Sequence, residues 1–191
     1  MKTLFIEVKS EKDINVKLPN GRVGLIASAQ YLDQLKTLKI KNSVYGGLVL
    51  GCNADNAVKI KNNVDYFLFL GEGRFHAINV AIKTGKEVYI ASGDKITKEE
   101  IERHNKETKG KVLKYLNAKK KGILVSTKPG QSNLKEALKL RKEIKDTYIF
   151  IDNTFNLPGL EDFSDIDIWI NTACLRIEGN NIINMEDLPK V

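Results

Sequence analysis

Near-continuous apolar runs of strand length, set between stretches of helical spacing, restrict this chain to an α/β fold built on parallel sheets. Val64–Leu70 (VDYFLFL) and Thr147–Asp152 (TYIFID) are apolar at neighbouring positions, as strands covered by helices on both faces must be. Arg22–Ala27, Glu87–Ala91, Gly122–Ser126 and Asp167–Asn171 read the same way, with Thr3–Glu7 ahead of them and a short run at Gly47–Leu50. Helical spacing occupies Ala29–Lys39, where Leu32, Leu35 and Leu38 recur, then Arg74–Thr84 and Asn133–Lys145. A longer helical stretch from Lys98 to Lys119, interrupted near Gly110, separates two self-contained strand–helix runs. The tail after Asn171 is expected to be irregular or short-paired. Two small units of parallel sheet flanked by helices are therefore expected, residues 1–97 and residues 98–191, the second led by the long helix.

Composition narrows the function classes. No apolar run approaches the roughly 20 residues that span a bilayer, and the N-terminus turns acidic too soon for a secretory signal. A cytoplasmic protein without membrane contact is the expectation. The net charge of +7 invites a nucleic-acid reading. The lysines, however, alternate with glutamates along helices, and Lys119–Lys121, the one tight run, has no aromatic residues interleaved. Direct nucleic-acid binding is not expected.

Ligands of parallel α/β sheets bind at loops beyond the carboxyl ends of the strands. Four such loops carry unusual residues: Gly51-Cys52-Asn53-Ala54, Gly71-Glu72-Gly73-Arg74-Phe75-His76, Ser126-Thr127-Lys128-Pro129-Gly130-Gln131, and Asn171-Thr172-Ala173-Cys174-Leu175-Arg176. Cys52 and Cys174 are the two cysteines of the chain, one in each half. Soft thiolates on strand-end loops suit an iron–sulfur cluster, and equally suit packed structural residues. In the second loop, backbone amides beside Gly71 and Gly73 suit an anion, and Arg74 a carboxylate. A tight turn with Arg74 and His76 satisfying local groups fits as well. Ser126–Gln131 lacks the order of a P-loop, and Lys128 is either an anion ligand or an exposed loop lysine.

Five segments, in order, resemble the diphthamide synthase family, whose members build 2-(3-amino-3-carboxypropyl)histidine on translation elongation factor 2. They are Gly21–Leu35, Gly46–Ala54 (GGLVLGCNA), Val64–Ile78 (VDYFLFLGEGRFHAI), Gly122–Gln131 (GILVSTKPGQ) and Asp167–Ile177 (DIWINTACLRI). The resemblance implies three related α/β domains, each giving one cysteine to a [4Fe–4S] cluster whose open iron holds S-adenosylmethionine. Reduction then cleaves a C–S bond to give a 3-amino-3-carboxypropyl radical that adds to the target imidazole. It further implies metal ligation by Cys52 and Cys174, and a substrate pocket lined by Gly71, Gly73, Arg74, Ser126, Lys128, Gly130 and Gln131.

The sequence departs from the family at three places. The first domain is missing, with residues 1–14 read as its last strand and a linker. Leu175 stands where the family has proline, and Tyr31 where it commonly has histidine. The expected partners are elongation factor 2 as substrate, a separate chain supplying the first domain, and a second copy in a homodimer. The alternative is a non-catalytic subunit or remnant that binds the synthase or the elongation factor without its own cluster.

Overall fold

The computed structural model describes residues 8–189. The chain divides into two compact units between Asn105 and Lys106. The first contains β1 (Val23–Ala27), α1 (Leu32–Thr37), β2 (Ser43–Leu48), α2 (Asp55–Ile60), β3 (Tyr66–Leu70), α3 (Phe75–Thr84), β4 (Val88–Ile90) and β5 (Lys95–Ile96). Its sheet order is β2-β1-β3-β4-β5, parallel except for the β4–β5 pair. Helix α4 (Lys98–Asn117) crosses the boundary. The second unit follows with β6 (Lys121–Ser126), α5 (Leu134–Glu143), β7 (Thr147–Asp152), α6 (Leu157–Glu161), β8 (Ile168–Asn171) and β9 (Ile182–Asn184). Its sheet, β7-β6-β8-β9, is parallel throughout. Two parallel-sheet units flanked by helices are what the apolar runs required.

Both faces of the first sheet are covered, so every residue of β1 and β3 is buried. Ile26, Phe67 and Phe69 pack on one side with Ala57 of α2 and Ala77, Val80 and Ala81 of α3. On the other side Val23, Leu25, Leu68 and Leu70 meet Tyr31 and Leu35. Ile14, Val16 and Leu18 join that second cluster. Their alternation is that of an extended chain laid across a sheet face. The segment expected to be a polar linker is thus strapped to the unit. Ser10 N donates to Gln30 O (2.9 Å), Lys12 exchanges two bonds with the Gln34 amide, and Asn15 N donates to Ala91 O (2.8 Å). The strand expected at Thr3–Glu7 lies outside the described residues.

Helix α4 runs without the interruption expected at Gly110. Its Ile101 belongs to the first unit's core, and its Val112 and Tyr115 pack in the second's. A Cβ at Gly110 would meet nothing within 4 Å, so packing does not demand glycine there. Gly110→Ala is expected to raise stability by about 0.5–1 kcal/mol, seen as a higher midpoint in urea, because glycine is the costlier helix residue. No change in midpoint would mean that the glycine is kept by something other than helix propensity. Among the described residues, no helix is long and apolar enough to cross a membrane.

Candidate functional site

Cys52 stands at the tip of a two-residue turn. Leu50 and Asn53 exchange backbone hydrogen bonds (2.8 and 3.1 Å), leaving Gly51 and Cys52 as the tip. Asn53 Oδ1 accepts from Asp55 N (2.9 Å), and Asn56 Nδ2 donates to Leu48 O (2.8 Å), which ties α2 back to the end of β2. Cys52 is exposed and Gly51 is buried. A Cβ on Gly51 would lie 1.8 Å from the Phe75 ring, so the cysteine turn rests directly on the first residue of α3. Gly51→Ala is expected to cost about 1–3 kcal/mol, as overpacking does. A urea titration would measure it, and an unchanged midpoint would show that the turn and Phe75 separate freely.

The Gly71–Arg74 turn after β3 is held from two sides. Glu72 accepts from the Tyr31 hydroxyl (3.1 Å) and lies 3.8 Å from Lys12 Nζ. The Arg74 guanidinium donates to Asp94 in the β4–β5 turn and to Glu100 Oε1 in the first turn of α4 (2.5 Å). Glu100 also accepts from Thr97 N (3.0 Å), and Glu100 N donates to Thr97 Oγ1 (3.3 Å), a capping box that starts α4. The Asp94 hydrogen bond, with both nearby carboxylates adding, raises the Arg74 pKa, and the same guanidinium lowers that of Asp94. Arg74, for which a clamp on a ligand's carboxylate and the satisfaction of local groups are both expected, is engaged by two carboxylates of its own unit. Gly73 adopts φ +67°, and a Cβ at Gly71 would sit 2.2 Å from the Phe69 ring. His76 stacks on Phe69 with ring centroids 5.8 Å apart.

In the second unit, Ser126 ends β6 buried. Its Oγ accepts from Lys128 N (3.1 Å) and donates to Asn153 O (3.3 Å). Gln131 N donates to Lys128 O (3.0 Å) across a turn in which Gly130 has φ +78°. Lys128 and Gln131 are half-buried. Cys174, also half-buried, opens a second turn closed by Ile177 N donating to Cys174 O (2.9 Å). Leu175 takes the second position of that turn. Proline there would only preset φ, so leucine preserves the shape. Asn133, just ahead of α5, donates to Thr172 O (2.5 Å) and joins the Ser126–Gln131 loop to the cysteine loop. Each unit thus gathers one cysteine and one glycine-containing loop at the carboxyl ends of its strands.

Tyr31, which stands out in the sequence only as a departure from the family pattern, and Asn171 and Thr172, which stand out only as neighbours of Cys174, help to hold these loops. Among the described residues, no group of three or more histidine, cysteine, aspartate or glutamate side chains is placed to hold a metal.

A family profile described as "Putative diphthamide synthesis protein" matches residues 1–184. The chain is 34% identical to the 2-(3-amino-3-carboxypropyl)histidine synthase of Methanocaldococcus jannaschii, over 93% of this chain and 56% of that protein. It is 29% identical to the enzyme of the same name from Pyrococcus horikoshii, over 90% of this chain and 55% of that one. With subunit 1 of the Schizosaccharomyces pombe synthase, identity is 28% over 91% and 47% of the two chains. The chain therefore spans about half the length of the curated relatives it matches. Among solved structures it resembles Dph2 from Pyrococcus horikoshii, crystallised with a 4Fe-4S cluster. The TM-score is 0.69 at 25% identity, over 87% of this chain and 56% of that one.

Proposed function

The chain belongs to the diphthamide synthesis protein family, and from that membership we propose that it forms two domains of a 3-amino-3-carboxypropyl transferase acting on a histidine of elongation factor 2. The observation that carries the reading is the repeated arrangement at the strand ends, with Cys52 in a turn packed on α3 and Cys174 in a turn tied to β6 and β9. Cys52 and Cys174 are proposed as ligands of a [4Fe–4S] cluster, with S-adenosylmethionine as the donor of the transferred group. The cluster, when bound and reduced by an external one-electron donor, would supply the electron that splits the donor's C–S bond.

The donor set fits such a cluster in kind and falls short in number. Thiolates are the usual iron–sulfur ligands, and this chain has two cysteines. A cluster with one iron open to the donor needs three protein thiolates, so the third is proposed to come from outside this sequence. Gly71, Gly73, Ser126, Lys128, Gly130 and Gln131 are proposed to line the substrate pocket. Arg74 is proposed to shape that pocket through Asp94 and Glu100. Residues 1–14 are proposed as the connection to the first domain of the family.

Anaerobic reconstitution with iron and sulfide tests this reading, on the chain alone and mixed with a polypeptide carrying the first domain of a relative. Visible absorption and EPR of the reduced sample are expected to show about four irons per complex with the added domain, and few without it. A complex that forms but takes up no cluster would defeat the proposal.

A further inference from the structure

We propose that Asn171 is the positioning residue of the Cys174 thiol, a role whose functional weight rests on the reading of Cys174 as a ligand. Asn171 is the last residue of β8, aligned with Leu124 of β6 and Asn184 of β9, and it is 2% exposed. A buried amide at a strand end costs free energy unless its donors and acceptor are satisfied. Here all are engaged, and most of the partners lie in the cysteine loop. Oδ1 accepts from Ala173 N (2.9 Å), while Nδ2 donates to Cys174 O (2.9 Å) and Asn184 Oδ1 (3.0 Å), with Ile177 O at 3.4 Å.

Backbone partners fix the orientation of this amide. A main-chain N–H can only donate and a main-chain carbonyl can only accept, so exchanging the amide oxygen and nitrogen would break both contacts. The direction then propagates. Asn184 must turn its oxygen to Asn171, which leaves its Nδ2 to donate to Asp187 Oδ2 (3.3 Å). The result is a one-way chain from Ala173 N–H through two amides to a carboxylate, with the Cys174 carbonyl held as a branch. The Thr172 hydroxyl adds a bond to Leu124 O (2.7 Å), so the loop is pinned to β6 and β9 on either side of β8. A thiol on such a loop meets its metal with the ordering cost already met, which is what outer-shell partners do for ligands.

Competitive alkylation tests the assignment, because the chain carries its own control. Cys52 and Cys174 lie in different compact units, so their labelling rates, read by peptide mass spectrometry on the same metal-free sample, separate a local change from general unfolding. Asn171→Asp keeps the size and removes the donor edge. Asn184→Ala removes only the anchor on β9. Loss of these bonds is expected to raise the Cys174:Cys52 rate ratio about tenfold in the first variant and about threefold in the second. Fluorescence of Trp169, the sole tryptophan, should stay native.

A ratio within about twofold of the parent in both folded variants would overturn the proposal. So would loss of the native Trp169 signal in both, which would make the network a support of the fold and not of the cysteine loop. Iron uptake by the complex assembled with the first domain separates this claim from the ligand reading. A shifted ratio, with uptake indifferent to Cys174→Ala, keeps the positioning role and removes the ligand.

Discussion

As ligands of the proposed cluster, Cys52 and Cys174 are each expected on replacement by alanine to lower the proposed aminocarboxypropyl transfer by the assembled complex at least about a hundredfold, exceeding the loss typical of outer-shell changes. The same substitutions should leave folding nearly untouched. Cys52 is exposed at a turn whose geometry is set by Leu50, Asn53 and Phe75, none of which bonds through the thiol in the contacts described above. Its replacement should change stability by less than about 0.5 kcal/mol. That contrast gives the experiment its force. A packed structural thiol would lose stability and keep chemistry, whereas a ligand loses iron and chemistry and keeps stability. Iron content, transfer of label from S-adenosylmethionine to elongation factor 2, and a urea midpoint should be measured on the same preparations. Full activity in either variant would strike that residue from the ligand set.

The strands that carry the cores were legible because burial on both faces leaves an unmistakable apolar run, as in β3 and β6. Strand β2 was less so. The short apolar run at Gly47–Leu50 marks only its end, since the strand is Ser43–Leu48, where Gly46 is needed because a Cβ there would lie 2.8 Å from Ile26 and 2.9 Å from Ile60. Tertiary approach, not propensity, makes it a strand. Strand β9 has three residues and owes its identity to pairing with β8. Helices α2 and α6 are too short to show a period. At the site, the cysteine and glycine loops could be read because their residue types are unusual after strands. What holds the Gly71–Arg74 loop could not, because its partners are distant in sequence. Tyr31 reaches Glu72 across 41 positions, and Arg74 reaches Glu100 across 26. A lone arginine in a glycine loop gives no local sign that two carboxylates already engage it.

Trp169→Ala is expected to remove about 3–5 kcal/mol from the second unit, a large share of what a domain of this size has to lose. Trp169 is 5% exposed and packs with Leu124, Leu160 and Ile182. Phe150 meets it edge-on at 4.8 Å. That face of the sheet is served by the five residues of α6, so the ring supplies packing that a longer helix gives elsewhere. Beneath it lies Gly122, where a Cβ would sit 2.3 Å from the indole. Gly122→Ala should therefore cost about 1–3 kcal/mol by overpacking. The two changes share one volume and must couple. With the indole gone, a methyl at position 122 meets only Ile166 Cγ2, at 3.2 Å, and the cost of Gly122→Ala should fall to below about 1 kcal/mol. Urea unfolding of all four proteins, followed by far-UV circular dichroism, completes the cycle. Equal cost of Gly122→Ala in both backgrounds would mean that the glycine is set by strand backbone and that the indole does not rest on it.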